Sequence, residues 1–443
     1  MQNEIRIFYP SKTNERLSYA AVHLLTEILG VAVSITDSKS DFLNHSGPAI
    51  NYSGENLAHG LWVHPHGLLE ETNIHPLDNP DVLQWNGFPC FFAQNEGDIP
   101  FDIFSASFYL LSRYEEYTTF ESDKHGRFDP QKSLAYKHHF LEIPVVDRWA
   151  YLLKDELQKK YPEMEFPLRR FRSVSTFDTD HPYQFRKRGI IRTFSALGRD
   201  AIRFNLKQIG ERISVQLRLK SDPYMKATQW IDQWQKIAGK NYFLFILRGN
   251  RGKYGTSVQL PPHAYSEYFR GLESAIIGLH PSYETYKNLE LLIKERKELE
   301  EIIEHKITAS RHHFLRISLP ETFQELIVAG IKDDFSLAYA HAPGFRSGTA
   351  IPHRFYDLEQ EKITGLLLHP TVMMDTTLIM HKKLSPEDAL KKIKFLIDEC
   401  YQSGGDYVSL WHNSNLAGNL QNNPWIGVFS ESFRYASALE KNS

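Results

Sequence analysis

The chain has 443 residues, of which 42% are hydrophobic and 24% charged, so its composition excludes a disordered or fibrous protein. At roughly 150–200 residues per domain, this length predicts two to three domains. The formal net charge of −3 provides no overall field that would attract nucleic acid. No stretch approaches the roughly 18 apolar residues of a membrane span, and the N-terminus lacks the features of a signal peptide, so we expect a soluble cytoplasmic protein. The two cysteines, Cys90 and Cys400, are expected to be reduced thiols.

The first 165 residues alternate short apolar runs with segments of helical periodicity, which predicts an α/β domain. Asn14 and Asp102 stand where N-caps are expected, and Gly30 stands where a helix is expected to end. The predicted strands are 5–9, 31–35 and 48–52, and the predicted helices are 17–28, 102–117 and 147–160. Residues 123–127 have the composition of a turn. No catalytic group of residues is visible here, so we interpret 1–165 as an accessory domain of unknown role.

Residues 166–443 continue the alternation of strands and helices over a longer stretch. The predicted strands are 173–177, 242–247, 274–279, 307–310, 335–340, 364–368 and 407–411. The clearest predicted helices are 284–304, 321–329 and 386–400. Such alternation favours a parallel sheet, and about seven units favour a closed or nearly closed β/α barrel.

One stretch departs from this pattern. Residues 183–220 contain ten basic side chains against two acidic ones, with apolar residues between them, inside a predicted helical insertion at about 183–240. A basic amphipathic helix can lie on an anionic membrane or bind a polyanion. It can equally be a solvated charged face, and the sequence leaves both interpretations open.

Polar and titratable residues collect where the predicted strands end, and in a β/α barrel that edge carries the chemistry. Asp178 and Asp180 lie two apart on an extended segment, so both carboxylates point the same way. Two adjacent carboxylates are costly unless a cation or a proton lies between them. The other strand ends carry His280, Arg311-His312-His313, Arg346, His369 followed by Asp375, and His412. A single histidine or aspartate at a strand end is more typical of a residue that caps the backbone. Together, these residues indicate a cleft with a divalent metal, a carboxylate base, an arginine and a second histidine.

The order of these motifs resembles that of the polysaccharide deacetylase superfamily (NodB homology, carbohydrate esterase 4-like). The motifs are Thr176-Phe-Asp-x-Asp180, a loop led by His280, Phe345-Arg-x-Gly348, Asp375 and Leu410-x-His412, and the resemblance covers about residues 170–435. With Phe108-Tyr-Leu-Leu-Ser-Arg-Tyr-Glu-Glu116 in the first half, the whole chain resembles a bacterial subgroup of that superfamily. The resemblance implies an N-terminal α/β domain followed by a distorted (β/α)7-type deacetylase barrel.

The resemblance also implies roles for these residues. Asp178 would be the general base and His412 the general acid, with Arg346 and Asp375 tuning the neighbouring carboxylate or imidazole. Asp180 and His280 would be metal ligands.

The family's second metal histidine has no counterpart at the expected position, which is Glu284 in this sequence. We prefer His313 as the substitute, with its neighbour His312 as the fallback. Two other possibilities stay open: Glu284 could supply an oxygen ligand, or the site could bind no metal. A set of two histidines and a carboxylate suits Zn²⁺, and also Fe²⁺, Co²⁺ or Ni²⁺.

These roles imply a metal-dependent hydrolase that removes an N-acetyl or similar acyl group from a sugar or glycan precursor. The alternative is an inactive deacetylase-like barrel that binds glycan or a protein partner, and Glu284 is the residue that favours it. A glycosidase is disfavoured because its two carboxylates belong on different elements, at least about 5 Å apart.

Overall fold

Two largely parallel β-sheets, one in each half of the sequence, organise the computed structural model of the chain. The structure describes residues 4–11, 14–77, 80–118, 122–249, 254 and 260–443. Among these residues no helix is long and apolar enough to cross a membrane.

Within its described residues, the N-terminal half contains a four-stranded parallel sheet in the order β2-β1-β3-β4, a short antiparallel β5–β6 pair and six α-helices. The strands are β1 (Glu4–Phe8), β2 (Ala32–Thr36), β3 (Ala49–Tyr52), β4 (Leu61–Val63), β5 (Leu83–Trp85) and β6 (Phe88–Cys90). The helices are α1 (Glu15–Ala21), α2 (Lys39–Leu43), α3 (Ile103–Leu111), α4 (Glu115–Thr118), α5 (Leu134–Lys137) and α6 (Val145–Lys160). A π-helical segment, Val22–Ile28, extends α1.

The predicted caps of this half are confirmed, whereas one predicted helix is interrupted. Asn14 accepts a hydrogen bond from the Leu17 amide at 2.9 Å, and Asp102 accepts from the first amides of α3. The predicted helix 102–117 breaks at Arg113, whose φ is +58°. The buried guanidinium of Arg113 there binds the carboxylates that follow it, Glu115 and Glu116, and these contacts favour the break over a continuous helix.

In the described part of the C-terminal half there are a curled nine-stranded sheet and eight α-helices. The strands are β7 (Arg172–Thr179), β8 (Tyr242–Leu247), β9 (Ala275–His280), β10 (Ala309–Ser310), β11 (Asp333–Asp334), β12 (His353–Asp357), β13 (Lys362–Leu368), β14 (Thr371–Met374) and β15 (Asp406–His412). The helices are α7 (Ile190–Ile202), α8 (Leu206–Gln216), α9 (Pro223–Ile237), α10 (Pro262–Phe269), α11 (Leu289–Ile303), α12 (Glu321–Val328), α13 (Pro386–Gln402) and α14 (Trp425–Lys441).

The strand order of this sheet is β12-β13-β11-β10-β9-β8-β7-β15-β14, and every neighbouring pair is parallel except β12 and β13. The predicted mixed α/β class and parallel sheet are therefore confirmed. Because the strands are parallel, the carboxyl ends of β7, β8, β9, β10 and β15 meet at one edge, where the site lies.

The predicted strand 335–340 is wrong, because pairing stops at Asp334. The Asp334 carboxylate accepts hydrogen bonds from the backbone and hydroxyl of Ser336, which turns the chain out of the sheet. The apolar residues that suggested a strand, such as Phe335 and Leu337, are buried in irregular structure instead.

The two halves pack against each other through a segment of the C-terminal half that enters the N-terminal core. Tyr339, Ile351 and Tyr356 belong to the same buried apolar cluster as the helices of the first half. The Arg346 guanidinium donates to both carboxylate oxygens of Glu116, at 2.9 and 2.6 Å, and to the backbone carbonyl of Ala338. Both side chains of this pair are almost fully buried. From the sequence, Arg346 is expected to tune a neighbouring carboxylate or imidazole of the site, whereas in the structure its hydrogen bonds go to Glu116 and Ala338.

We predict that Arg346→Met destabilises the protein by about 3 kcal/mol, because removing one partner of a buried ion pair leaves a buried charge poorly compensated. Chemical denaturation of the variant measures this loss. Arg434→Met, which removes an exposed pair with Glu431, is the matched control and should cost less than about 1 kcal/mol. A stable Arg346→Met protein would contradict this structural role.

Candidate metal centre

The candidate metal centre lies at the carboxyl ends of β7 and β9 and in the segment that follows β10. Asp178 is the next-to-last residue of strand β7, and Asp180 follows that strand directly. His280 is the last residue of β9. His313 comes three residues after the end of β10. The parallel order of these strands brings residues far apart in sequence to one edge.

Asp180, His280 and His313 offer three ligand atoms that all lie within 4.8 Å of one another. Asp180 Oδ1 is 3.4 Å from His280 Nε2 and 3.5 Å from His313 Nε2. The two imidazole rings meet edge to face, with centroids 5.0 Å apart. The structure therefore brings together the three residues that the sequence analysis preferred as ligands.

The chemistry of this group fits a divalent cation. Asp180 Oδ1 and His280 Nε2 are buried and have no hydrogen-bond partner among the described residues. His280 Nδ1 lies 2.5 Å from the backbone carbonyl of Arg311, which fixes the proton on Nδ1 and leaves the Nε2 lone pair for a metal. Two imidazoles and one carboxylate form a set that suits Zn²⁺, Fe²⁺, Co²⁺ or Ni²⁺.

The charges of the three residues agree with this assignment. Burial alone would raise the pKa of Asp180, but His313 and His280 beside it hold that pKa well below its usual range. Burial would lower the pKa of His280, but the carboxylates of Asp178 and Asp180 outweigh it and raise that pKa. The pocket therefore favours positive charge at the point where the ligand atoms converge.

Neither alternative ligand from the sequence analysis belongs to this group. Glu284 lies in a short 3₁₀ turn, Tyr283–Thr285, with its side chain exposed. His312 is buried behind the site, where burial lowers its pKa to about 3 and its backbone amide donates to Ser336 Oγ. The adjacent His313, whose side chain faces Asp180, is the residue that completes the set.

Asp178 lies beside the ligand group and is held by an arginine. Its Oδ2 atom is 3.7 Å from His280 Nε2, and its Oδ1 atom accepts a hydrogen bond of 2.9 Å from Arg311 Nη1. Arg311 is fully buried and also donates to the Phe335 carbonyl and the Thr371 hydroxyl. Arg311 thus occupies the position that the sequence analysis gave to Arg346. The location of Arg311 directly before His312 and His313 in the sequence indicated that it could belong to the site. The order of the family motifs favoured Arg346 instead.

The half-buried His412 and the fully buried Asp375 form a second pair at the same edge. His412 ends β15 and is the register partner of Asp178 on β7. Its Nδ1 is 2.7 Å from Asp375 Oδ1, and its backbone amide donates to Asp375 Oδ2 at 2.7 Å. Asn415 donates to the same carboxylate at 3.0 Å. Burial would lower the pKa of His412, but Asp375 outweighs it and raises that pKa to about 10, so His412 carries a proton at neutral pH.

The N-terminal half contacts the segment that bears His313. The ring of Phe314, directly after this ligand, packs on the rings of His313 and His125 at centroid distances of 4.7 and 5.1 Å. Arg127 Nη1 donates to the Phe314 carbonyl at 2.6 Å, and Arg316 Nε donates to the His125 carbonyl at 2.7 Å. The sequence predicted only a turn at 123–127 and gave no sign that it supports the metal centre.

Comparison with known proteins gives limited similarity. Residues 5–162 match the model of a family of unknown function, DUF7033. No curated protein matches the chain. Among solved structures, the chain is similar to a protein from Mycobacterium smegmatis described as a "putative polysaccharide deacetylase", with 13% identity, a TM-score of 0.40, and coverage of 62% of this chain and 87% of that one. What the fold and the geometry define by themselves is an α/β protein with a candidate metal centre at the edge of its larger sheet.

We predict that Asp375→Asn lowers the pKa of His412 from about 10 towards or below its ordinary value of about 6.5, because the variant loses the charge that outweighs burial. An NMR titration of the His412 imidazole measures this change. Since the folded pKa exceeds the unfolded one, the pair stabilises the protein fully below about pH 6.5 and loses this contribution as the pH rises towards 10. An unchanged pKa in the variant would contradict the pairing.

Proposed function

We propose that this protein is a metal-dependent hydrolase that removes an N-acetyl or similar acyl group from a sugar or glycan precursor. The observation that carries the proposal is the convergence of Asp180, His280 and His313 between two further pairs, Asp178–Arg311 and His412–Asp375. A carboxylate base, a metal-ligand set and a protonated imidazole at one sheet edge are the groups that amide hydrolysis requires.

Each group has a separate task in this chemistry. Asp180, His280 and His313 would hold a divalent cation, which would supply Lewis acidity towards water and the amide carbonyl. Asp178 accepts the proton of the attacking water, and its hydrogen bond from Arg311 Nη1 holds the carboxylate in position. His412 Nε2 donates a proton to the departing amine, because Nδ1 is occupied by Asp375. Asp375 also holds the imidazole in position through the backbone amide of His412.

The sugar class of the substrate is supported by the motif order described above, which resembles that of the polysaccharide deacetylases. Tyr283, whose hydroxyl contacts His125, is a half-buried aromatic side chain beside the ligand loop and can stack on a sugar face. By contrast, Trp411 and Phe345 are fully buried and serve the core. The non-catalytic alternative depends on Glu284 as a defective ligand, and the position of His313 beside Asp180 supports the catalytic proposal instead.

We predict that protein purified without chelators contains about one transition-metal ion per chain and releases acetate from N-acetylated sugar oligomers. His280→Ala and His313→Ala should lose both the metal and the activity, because each removes one of three ligands. Asp178→Asn and His412→Gln should keep the metal and lose at least about 100-fold in rate, because each removes only a proton acceptor or donor. Metal analysis and acetate assays on the same preparations separate these effects.

Glu284→Gln is the matched control, since it changes an exposed acid in the same loop and should leave both readouts unchanged. Acetate release by His280→Ala at the wild-type rate would overturn the proposal. Glycan binding that survives chelation, without acetate release, would support the non-catalytic alternative instead.

A further inference from the structure

Helices α7 and α8, with the turns that follow each, form a helix pair at residues 190–220 that exposes an unusual amount of apolar surface. At the turn between the helices, Ile202, Phe204 and Leu206 are 81%, 87% and 74% exposed. Four more large apolar side chains of the pair are exposed, namely Phe194, Ile213, Leu217 and Leu219. Concentrated exposure of this kind marks an interaction surface, because single apolar residues are normally scattered.

The inner side of the helix pair is well packed, so the exposed side chains do not come from an unsupported segment. Asp200 of α7 and Arg212 of α8 form a buried ion pair at 2.9 Å, and the Arg212 guanidinium also covers the ring of Phe185. The fully buried Asp222 carboxylate accepts hydrogen bonds from three consecutive backbone amides, those of residues 184–186. The base of the pair is thus fixed to the protein while its outer surface stays uncovered.

The same surface is strongly positive. Residues 183–220 carry ten basic and two acidic side chains, a net charge of +8, in a chain whose total is −3, so all other residues together carry −11. Glu267 pairs with both Arg186 and Lys187 and offsets one of their two charges, and Asp200 pairs with Arg212. Arg203 and Lys207 alternate with the exposed apolar residues of the turn, and neither has an acidic partner within 4 Å among the described residues.

We propose that this helix pair binds the surface of an anionic lipid bilayer, with Ile202, Phe204 and Leu206 entering the interface and the basic residues contacting lipid headgroups. Apolar side chains gain from leaving water, and each basic side chain near an anionic leaflet adds to the attraction. A second copy of the chain does not fit this surface, because two such positive faces would repel each other.

The position of the helix pair relates this surface to the metal centre. Helix α7 begins ten residues after Asp180, and the connecting segment leaves β7 at the edge where the ligands meet. The helix pair therefore follows closely in sequence the segment that bears Asp180. Membrane binding and hydrolysis are measured separately, so either can fail without the other.

The test is co-sedimentation of the full chain with phosphatidylcholine vesicles that contain or lack about one-third phosphatidylglycerol. We expect binding to the anionic vesicles at least tenfold stronger than to the neutral ones, and weakened by 0.5 M salt because the Debye length shortens. The double variants R203E/K207E and F204S/L206S should each lower the binding to anionic vesicles at least tenfold, the first through charge and the second through apolar contact.

Matched controls change the same chemistry elsewhere on the surface. K297E/K306E reverses two exposed charges near α11, and V328S/L420S removes two exposed apolar side chains, and both should bind vesicles like the wild type. Equal binding to neutral and anionic vesicles, absent binding to both, or equal losses in the controls would overturn the proposal. Self-association in the absence of lipid that F204S/L206S abolishes would also overturn it, since a second copy would then cover the surface.

Discussion

Two carboxylates at the end of β7 are the constraint on which the site depends. Asp178 and Asp180 are directed to the same place by the strand, and two neighbouring negative charges are costly unless each is compensated. Asp178 is compensated by the buried Arg311, whereas Asp180 faces the imidazoles of His280 and His313. The different partners separate the roles of two similar residues. Asp178 is thus held by a permanent cation, whereas Asp180 faces two imidazoles with which it could share a metal ion.

The N-terminal half takes part in this arrangement instead of standing apart from it. Arg127 holds the backbone carbonyl of Phe314, next to the ligand His313. Glu116 accepts two of the hydrogen bonds that Arg346 donates from the C-terminal half. The N-terminal half, for which the sequence predicts an accessory role, therefore contacts the loop that bears His313.

Local patterns in the sequence predicted most of the strands and helix caps, because periodicity and capping depend on near neighbours. Because side chains alternate between the two faces of a strand, the spacing of Asp178 and Asp180 was sufficient to place their carboxylates together. The location of His313 directly after a later predicted strand was sufficient to favour it as a ligand. The sequence did not show which arginine contacts Asp178. Arg311, which follows β10, reaches Asp178 on β7, whereas Arg346 binds Glu116 in the other half. Such contacts join residues more than 100 positions apart, and no local pattern contains them.

The central claim is that Asp180, His280 and His313 bind one cation. Anomalous diffraction from crystals of the protein purified without chelators, recorded at the absorption edge of the metal found by elemental analysis, tests it most directly. The account predicts one strong peak about 2.0–2.2 Å from Asp180 Oδ1, His280 Nε2 and His313 Nε2. A peak at Glu284, or no peak between these three side chains in protein supplied with metal, would contradict it.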